Sequence, residues 1–127
     1  MSRSVLDSSA ILAFFQKEPG WEAVQAALPD GIVSSLILAE VVTRLTLSGG
    51  TPWQITTAWD DLQLVVEPFD DSRARVAGLI VDKTRPFGLS LVDRACLALA
   101  RELGLPAVTA DRAWGKVDIG VDIVLIR

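Results

Sequence analysis

The sequence predicts an α/β fold, a three-layer α/β/α sandwich with a mostly parallel central sheet. Short apolar runs of strand character alternate with helical runs along the chain. This alternation is typical of a parallel sheet that is covered by helices on both faces. With 127 residues, of which 50% are hydrophobic, the chain is long enough for one packed core. We therefore expect a single domain over residues 1–127.

Turn and capping residues divide the first half of the chain into its elements. Pro19-Gly20 interrupts a helical run, and Gly49-Gly50 ends a later one. Ser34 or Ser35 can cap a helix, and Thr51-Pro52 supplies an N-cap followed by proline at the first helical position. The predicted strands are Ser4–Leu6, which ends at Asp7, and Ile32–Val33; the predicted helices are Ser8–Phe15, Trp21–Leu28, one from Ser35 to about Leu47 and one from Pro52 to about Leu62.

The second half repeats the alternation. Asp70 or Asp71 caps a helix that reaches about Asp82. Pro86 and Gly88 predict a loop in the segment that follows. The predicted elements are strands Leu64–Val66, Ala107–Thr109 and one within Ile119–Ile126, a loop over Lys83–Leu89, and an apolar helix that Ser90 opens and that ends at Leu103 before Gly104 and Pro106.

The absence of two residue types excludes several mechanisms. The chain has no histidine, so it contains no Ser-His-Asp triad, no Cys-His pair and no histidine-ligated zinc site. It also has no tyrosine. Acid–base chemistry near neutral pH therefore falls to carboxylates, lysine, the single cysteine or a metal-bound water.

Cysteine usage and hydropathy indicate a cytoplasmic protein. Cys96 is the only cysteine, so no internal disulfide forms and a reducing compartment is expected. No apolar run approaches the roughly 20 residues of a membrane span. The first residues lack the apolar region of a signal peptide.

Four acidic residues mark junctions between strand-like and helical runs or positions just inside a helix. They are Asp7, Glu40, Asp93 and Asp111. In parallel sheets, ligands bind beyond the carboxyl ends of the strands where the strand order reverses. Because Asp7 and Asp111 both follow predicted strands, this edge is the expected position of a functional site.

Each of three acids also has a purely structural interpretation. Asp7 and Asp111 can act as caps at the start of a helix or turn. Glu40 can form an exposed pair with Arg44 one helical turn later, worth only about 0.2–0.5 kcal/mol. The helix around Glu40 is apolar on most sides, however, and a carboxylate beside a buried wall needs a partner or a metal.

Asp93 has the strongest structural alternative. Ser90 and Asp93 fit a capping box with aspartate in place of the usual glutamate. Asp93 also borders the apolar stripe of its helix, which holds its carboxylate near the core edge, where the helix dipole favours an anion.

Several carboxylates at one point favour a divalent metal site. Mg²⁺ and Mn²⁺ prefer oxygen ligands, and carboxylates clustered without a cation repel one another. The net charge of −4, from 12 basic and 16 acidic residues, argues mildly against a nucleic-acid binder. Without the four candidate ligands the count is 12 against 12, so the net charge does not decide the question.

The chain resembles PIN-domain ribonucleases of the VapC toxin type almost from end to end. The matching segments are VLDSSAILAFF, LILAEVVTRL, LSLVDRACLALA and VTADRAWGKVDIGVDIVLIR. The last two are specific when they occur together. The resemblance implies that Asp7, Glu40, Asp93 and Asp111 are the catalytic metal ligands, and that Ser9, Thr109 and, through a looser alignment, Asp118 support them.

The resemblance further implies an endoribonuclease that uses Mg²⁺ or Mn²⁺. A metal-activated water attacks a phosphodiester of RNA, leaving a 5′-phosphate and a 3′-hydroxyl, and the cut inhibits translation. The implied substrate is a structured RNA such as tRNA or ribosomal RNA. The implied partners are a cognate antitoxin and a second copy of the chain, as a homodimer.

Other interpretations stay open. Arg85 and Arg112 are the best candidates among the arginines for RNA contacts. One rival function is another phosphoryl-transfer hydrolase on a similar sheet, against which Ser9 counts because a dehalogenase-like phosphatase needs an aspartate there. The second rival is a non-catalytic interaction module whose acids are all caps.

Overall fold

In the computed structural model, which describes residues 3–127, five strands form one sheet in which every neighbouring pair is parallel. The predicted α/β class with a parallel sheet is confirmed. The strands are β1 (Val5–Leu6), β2 (Ile32–Ser34), β3 (Val65–Glu67), β4 (Ala107–Thr109) and β5 (Ile123–Leu125).

The strand order is β3-β2-β1-β4-β5, with β1 at the centre. Val5 is in register with Ile32 on one side and with Ala107 on the other. The chain moves outward from β1 to β3 and then returns to the opposite side of β1. The order therefore reverses between β1 and β4, and this is the point where a parallel sheet opens a crevice at its carboxyl edge.

Capping residues start the helices where the sequence predicts. Ser34 accepts a hydrogen bond from the Leu36 amide, and Thr51 forms a full capping box with Gln54. Within residues 3–127 no helix is long and apolar enough to cross a membrane. The helices are α1 (Ser8–Gln16), α2 (Trp21–Ala27), α3 (Ser35–Leu47), α4 (Pro52–Asp61), α5 (Asp71–Leu79), α6 (Val81–Thr84) and α7 (Leu91–Leu103), with 3-10 helices at Arg85–Phe87 and Arg112–Lys116.

The predicted helix is present over Asp71–Leu79, but the prediction was wrong between Ile80 and Leu89. The single helix expected up to Asp82 is broken at Ile80, whose side chain is buried and whose backbone leaves the helical region at φ −80° and ψ 5°. Gly78 lies just before the break, where its low helix propensity weakens the turn.

The loop expected over Lys83–Leu89 is also mostly helical. Pro86 stands early in a 3-10 helix, where its missing amide costs no internal hydrogen bond. Gly88, at φ 71°, ends that helix in the left-handed conformation. Proline and glycine here mark the two ends of a short helix.

Helix α7 is the centre of the core. Its residues Ala95–Ala100 are all buried, and it contacts β1, β2, β4 and α5. Burying one large aliphatic side chain contributes about 1.5–3 kcal/mol. This packing fixes the amino end of α7, which carries Asp93, at the carboxyl edge of the central strands.

Candidate active site

The four acidic residues singled out in the sequence line one cavity of about 650 Å³. Asp7 follows β1, and Asp111 lies two residues after the end of β4. Glu40 comes from α3 and Asp93 from the first turn of α7. Four chain segments that are distant in sequence therefore place carboxylates at the edge where the strand order reverses.

Asp7 is held by two hydroxyl groups that are themselves held by the backbone after β4. Its Oδ2 accepts hydrogen bonds from Ser9 Oγ at 2.7 Å and from Thr109 Oγ1 at 2.9 Å. Ser9 Oγ in turn accepts from the Ala110 amide at 2.9 Å, and Thr109 Oγ1 accepts from the Asp111 amide at 3.0 Å. Two backbone amides after β4 thus orient the two hydroxyls, and both hydroxyls donate to the same oxygen of Asp7.

Asp7 does not act as a cap. It occupies the N-cap position of α1, but its side chain makes no capping hydrogen bond. It is only 2% exposed. Burial raises the pKa of Asp7 to about 6, because desolvation outweighs the hydrogen bonds from Ser9 and Thr109, which lower it, and the negative charge of Asp93 adds to the rise.

Asp93 forms the capping box that its sequence predicts. Its Oδ2 accepts from the Ser90 amide at 2.9 Å, and its own amide donates to Ser90 Oγ at 3.2 Å. Burial nevertheless raises the pKa of Asp93 against these hydrogen bonds, and the charges of Asp111 and Glu40 raise it further. A capping carboxylate in open solvent would not have its pKa raised by burial and by two neighbouring acids.

Glu40 has a different partner from the one that helical spacing suggests. Its Oε1 accepts a short hydrogen bond from Ser8 Oγ, and no ion pair joins it to Arg44 among residues 3–127. Ser8 Oγ also lies 3.5 Å from Asp7 Oδ1. Ser8, which the sequence analysis did not single out, therefore stands between two of the acids.

Three of the acids keep one oxygen without a hydrogen bond from any residue in 3–127. Asp111 Oδ1 caps the 3-10 helix by accepting from the Ala113 amide at 3.0 Å, which leaves Oδ2 free. Asp93 Oδ1 and Glu40 Oε2 are free in the same way. One oxygen of each carboxylate fixes its position, and the other remains available to a ligand.

The donor set fits a hard divalent cation. Mg²⁺ and Mn²⁺ take carboxylate oxygens, and a cation would relieve the repulsion that raises the pKa of Asp93. The side chains are not yet gathered around one point, since no group of three or more in the described chain is arranged to hold a metal ion. One oxygen each of Glu40, Asp93 and Asp111 remains available to a cation.

The other candidates lie outside the cavity. Asp118, Arg85 and Arg112 are exposed, and none of them lines it. Two different arginines do line it, Arg44 from α3 and Arg127 after β5. Arg44 is one helical turn beyond Glu40, a spacing that could have indicated it, whereas nothing local in the sequence indicates Arg127.

Cys96 is not part of this site. It is fully buried in α7, and burial raises the pKa of its thiol well above the usual range, with the charges of Asp7 and Asp93 adding to the effect. A protonated, inaccessible thiol is a packing group rather than a nucleophile.

A second cavity of about 640 Å³ lies at the opposite end of the sheet. Its lining includes Pro29 and Asp30 before β2, Gln63 before β3, and the rings of Phe14 and Phe15. Its lining holds two carboxylates, Asp30 and Asp61, against five at the carboxyl edge, so the carboxyl edge is the better candidate for catalysis.

The sequence model of the PIN domain family matches residues 4–120. No curated protein matches the chain significantly. The match covers all four acidic residues of the cavity and both hydroxyls that hold Asp7.

Solved structures of toxin–antitoxin proteins share the fold. A toxin–antitoxin complex from Klebsiella pneumoniae has a TM-score of 0.75 at 16% identity, with 98% of each chain covered. DNA-bound VapBC from Salmonella typhimurium has a TM-score of 0.75 at 20% identity, with 100% of each chain covered. VapC20 from Mycobacterium tuberculosis, a Sarcin-Ricin loop cleaving toxin, has a TM-score of 0.73 at 20% identity, covering 93% of this chain and 98% of that one.

Proposed function

This chain belongs to the PIN domain family, and from that premise we propose that it is a metal-dependent endoribonuclease, the VapC-type toxin of a toxin–antitoxin pair. The proposed reaction hydrolyses a phosphodiester bond of RNA to a 5′-phosphate and a 3′-hydroxyl. Its proposed consequence in the cell is inhibition of translation, which takes place in the cytoplasm.

One observation carries the proposal: carboxylates from four separate segments line a single cavity at the edge where the strand order reverses. Burial and mutual repulsion raise the pKa of Asp7 and Asp93, so the arrangement disfavours their ionised forms. A protein that served only as an interaction module would gain nothing from such a cluster. A cluster that is unfavourable in the free protein supports a role in binding a cation.

The proposed metal ligands are Asp7, Glu40, Asp93 and Asp111. Mg²⁺ or Mn²⁺ bound by these carboxylates would lower the pKa of a coordinated water and offset the charge of the phosphodiester. Ser9 and Thr109 fix the orientation of the innermost carboxylate by donating to Asp7 Oδ2.

The proposed substrate is a structured RNA, either tRNA or ribosomal RNA. The fold shared with a Sarcin-Ricin loop cleaving toxin supports ribosomal RNA as the first candidate. Arg85 and Arg112, both exposed, remain candidates for RNA contacts outside the cavity, and Asp118 for an outer acidic role.

The proposed partners are a cognate antitoxin and a second copy of the chain as a homodimer. A toxin–antitoxin complex from Klebsiella pneumoniae has the same fold, which supports an antitoxin partner here. An antitoxin held over the cavity would keep RNA out of it.

Two rival functions predict different behaviour. A non-catalytic module would use the acids as caps, yet Asp7 makes no capping hydrogen bond. A dehalogenase-like phosphatase would need a second acid at position 9, where the hydroxyl of Ser9 instead donates to Asp7.

Expression in a bacterial host tests the proposed function. Induction of the wild type without an antitoxin is expected to arrest growth and to produce new RNA 5′-phosphate ends at defined sites. Asp93→Asn, which can still accept the Ser90 amide, should fold and abolish both effects. Asp82→Asn is the matched control, because Asp82 is also in the first turn of a helix but is 85% exposed. Normal growth with soluble wild-type protein would contradict the toxin assignment.

A further inference from the structure

Two arginines line the acidic cavity, and the proposed metal site uses neither of them. Arg44 comes from α3 and Arg127 from the segment that follows β5. The same lining contains five carboxylate side chains, Asp7, Glu18, Glu40, Asp93 and Asp111. The acids repel the phosphates of an approaching RNA, and positively charged side chains in the cavity wall would offset this repulsion.

The guanidinium of Arg44 has no hydrogen-bonding partner among residues 3–127. It also makes no ion pair with any of these residues, and Glu40, one helical turn earlier, is bonded to Ser8 instead. An arginine has five N–H donors in a planar fork that matches phosphate. Arg44 thus presents an unoccupied phosphate-binding group to the cavity.

Arg127 is held in place by the turn between α1 and α2. Its Nη1 donates to the Pro19 carbonyl at 2.9 Å. Gly20, at φ 94°, lets the two segments meet, because a Cβ there would lie 2.3 Å from the Ile126 carbonyl oxygen. The Ile126 amide also donates to the Thr109 carbonyl at 3.0 Å, which ties this segment to β4.

Among residues 3–127, Arg127 contacts one anionic side chain, Glu18, and that contact is long. Both Nη1 and Nη2 lie 3.4 Å from Glu18 Oε1, and each of the two side chains is 38% exposed. An exposed pair at this distance is worth little. A phosphate, which accepts bidentate hydrogen bonds from arginine, can displace such a carboxylate.

We propose that Arg44 and Arg127 bind backbone phosphates of the RNA strand that enters the cavity, and that Glu18 occupies Arg127 until RNA displaces it. This inference rests on the proposed ribonuclease function and adds the contacts that hold the substrate. It assigns opposite effects to two neighbouring charges, since loss of Arg127 weakens RNA binding and loss of Glu18 strengthens it.

The test measures RNA affinity apart from cleavage. The parent protein carries Asp93→Asn, and the probe is a short fluorescent single-stranded RNA of mixed sequence, titrated with Mn²⁺ present at several salt concentrations. Arg44→Gln, Arg127→Gln and Glu18→Gln are added singly. Arg75→Gln is the matched control, because Arg75 is 76% exposed on α5 and does not line the cavity.

The proposal predicts about a tenfold loss of affinity for Arg44→Gln and for Arg127→Gln, as expected for loss of one charge-assisted hydrogen-bonded contact. The slope of log K against log salt should fall by about 0.7 for each. Glu18→Gln should bind more tightly than the parent, and Arg75→Gln should match it. A purely structural role for Arg127 would change stability without changing the salt slope.

Equal affinity and equal salt slope for the two cavity arginine variants and the Arg75 control would overturn the inference. So would a parent that binds no RNA. Neither result bears on the proposed nuclease, because Mn²⁺-dependent cleavage by the wild type is measured separately. If the wild type cleaves RNA but Arg44→Gln and Arg127→Gln bind RNA as tightly as the parent, the proposed nuclease function is retained and the two arginines are not part of the substrate site.

Discussion

At the scale of single residues, Asp7 concentrates the chemistry of the candidate site. Among residues 3–127 it is the only acidic side chain that is buried, and two hydroxyls donate to one of its oxygens. Burial disfavours the ionised form of this carboxylate and so raises its pKa. The stability of the folded protein should therefore depend on pH in the range where Asp7 titrates.

Folding raises the pKa of Asp7 from 3.8 to about 6, so between these values the folded state keeps a proton that the unfolded state has released. The stabilisation from this proton is complete below the unfolded pKa and is lost as pH rises through the folded pKa. In metal-free protein, we expect the stability of the wild type relative to Asp7→Asn to fall by about 2–3 kcal/mol between about pH 4 and about pH 7. Urea unfolding across this range in EDTA measures it, and parallel pH profiles for the two proteins would contradict it.

Thr109 is predicted to act through its hydroxyl rather than its volume. Thr109→Val keeps the shape but removes the donor to Asp7 Oδ2 and the acceptor for the Asp111 amide. We expect a loss of about 1–3 kcal/mol, since polar groups of a buried network lose their partner. Thr43→Val is the control, because its hydroxyl bonds only to Ala39 O on an exposed helix face. Equal losses in chemical denaturation would refute a specific role for the Thr109 hydroxyl.

The sequence was sufficient to single out the residues around Asp7 that are local or that lie at strand ends. Ser9 and Thr109 were expected near it, and the structure brings both hydroxyls within hydrogen-bonding distance. Ser8 and Arg127 were missed because their positions depend on how α3 and the segment after β5 approach α1. Such approaches are set by tertiary packing, which no local pattern contains.

At the scale of elements, caps and chain breaks predicted most boundaries. The predicted N-cap Thr51 starts α4, the predicted Ser90–Asp93 capping box starts α7, and Gly104 ends α7 in the left-handed conformation. The break at Ile80 was not predicted. Gly78 weakens the helix just before it, and Ile80 itself is buried in the assembled core, which the local sequence does not specify.

Two glycines should respond oppositely to alanine. Gly20→Ala introduces a Cβ 2.3 Å from the Ile126 carbonyl oxygen at φ 94°, so we expect a loss of about 2 kcal/mol or more. Gly78→Ala, in exposed helix α5 with no atom within 4 Å of the new Cβ, should gain about 0.5–1 kcal/mol. Thermal unfolding of both variants measures the contrast. A stable Gly20→Ala protein would show that the turn does not meet the segment after β5 so closely.

At the scale of the whole molecule, the topology brings distant carboxylates to one cavity. Because every strand is parallel and the order reverses at β1 and β4, the segments after both strands face one crevice. This much follows from strand–helix alternation in the sequence. The orientation of each carboxylate does not, since it depends on hydrogen bonds such as that between Ser8 and Glu40.

A cation should stabilise the folded protein through this cavity. At a Mn²⁺ concentration of about 100 times the dissociation constant, the gain is about 2.7 kcal/mol if only the folded state binds. We expect this gain for the wild type and for Asp82→Asn, and little of it for Asp93→Asn. Unfolding followed with and without Mn²⁺ measures it, and identical responses of all three proteins would remove Asp93 from the cation site.

The measurement that tests the central claim most directly is cleavage of total cellular RNA by purified, metal-stripped protein, with and without Mn²⁺. We predict discrete cuts with 5′-phosphate ends from the wild type and from Asp82→Asn only when Mn²⁺ is present, and none from folded Asp93→Asn. Cutting that persists in EDTA or in Asp93→Asn would contradict a catalytic role for the acidic cavity.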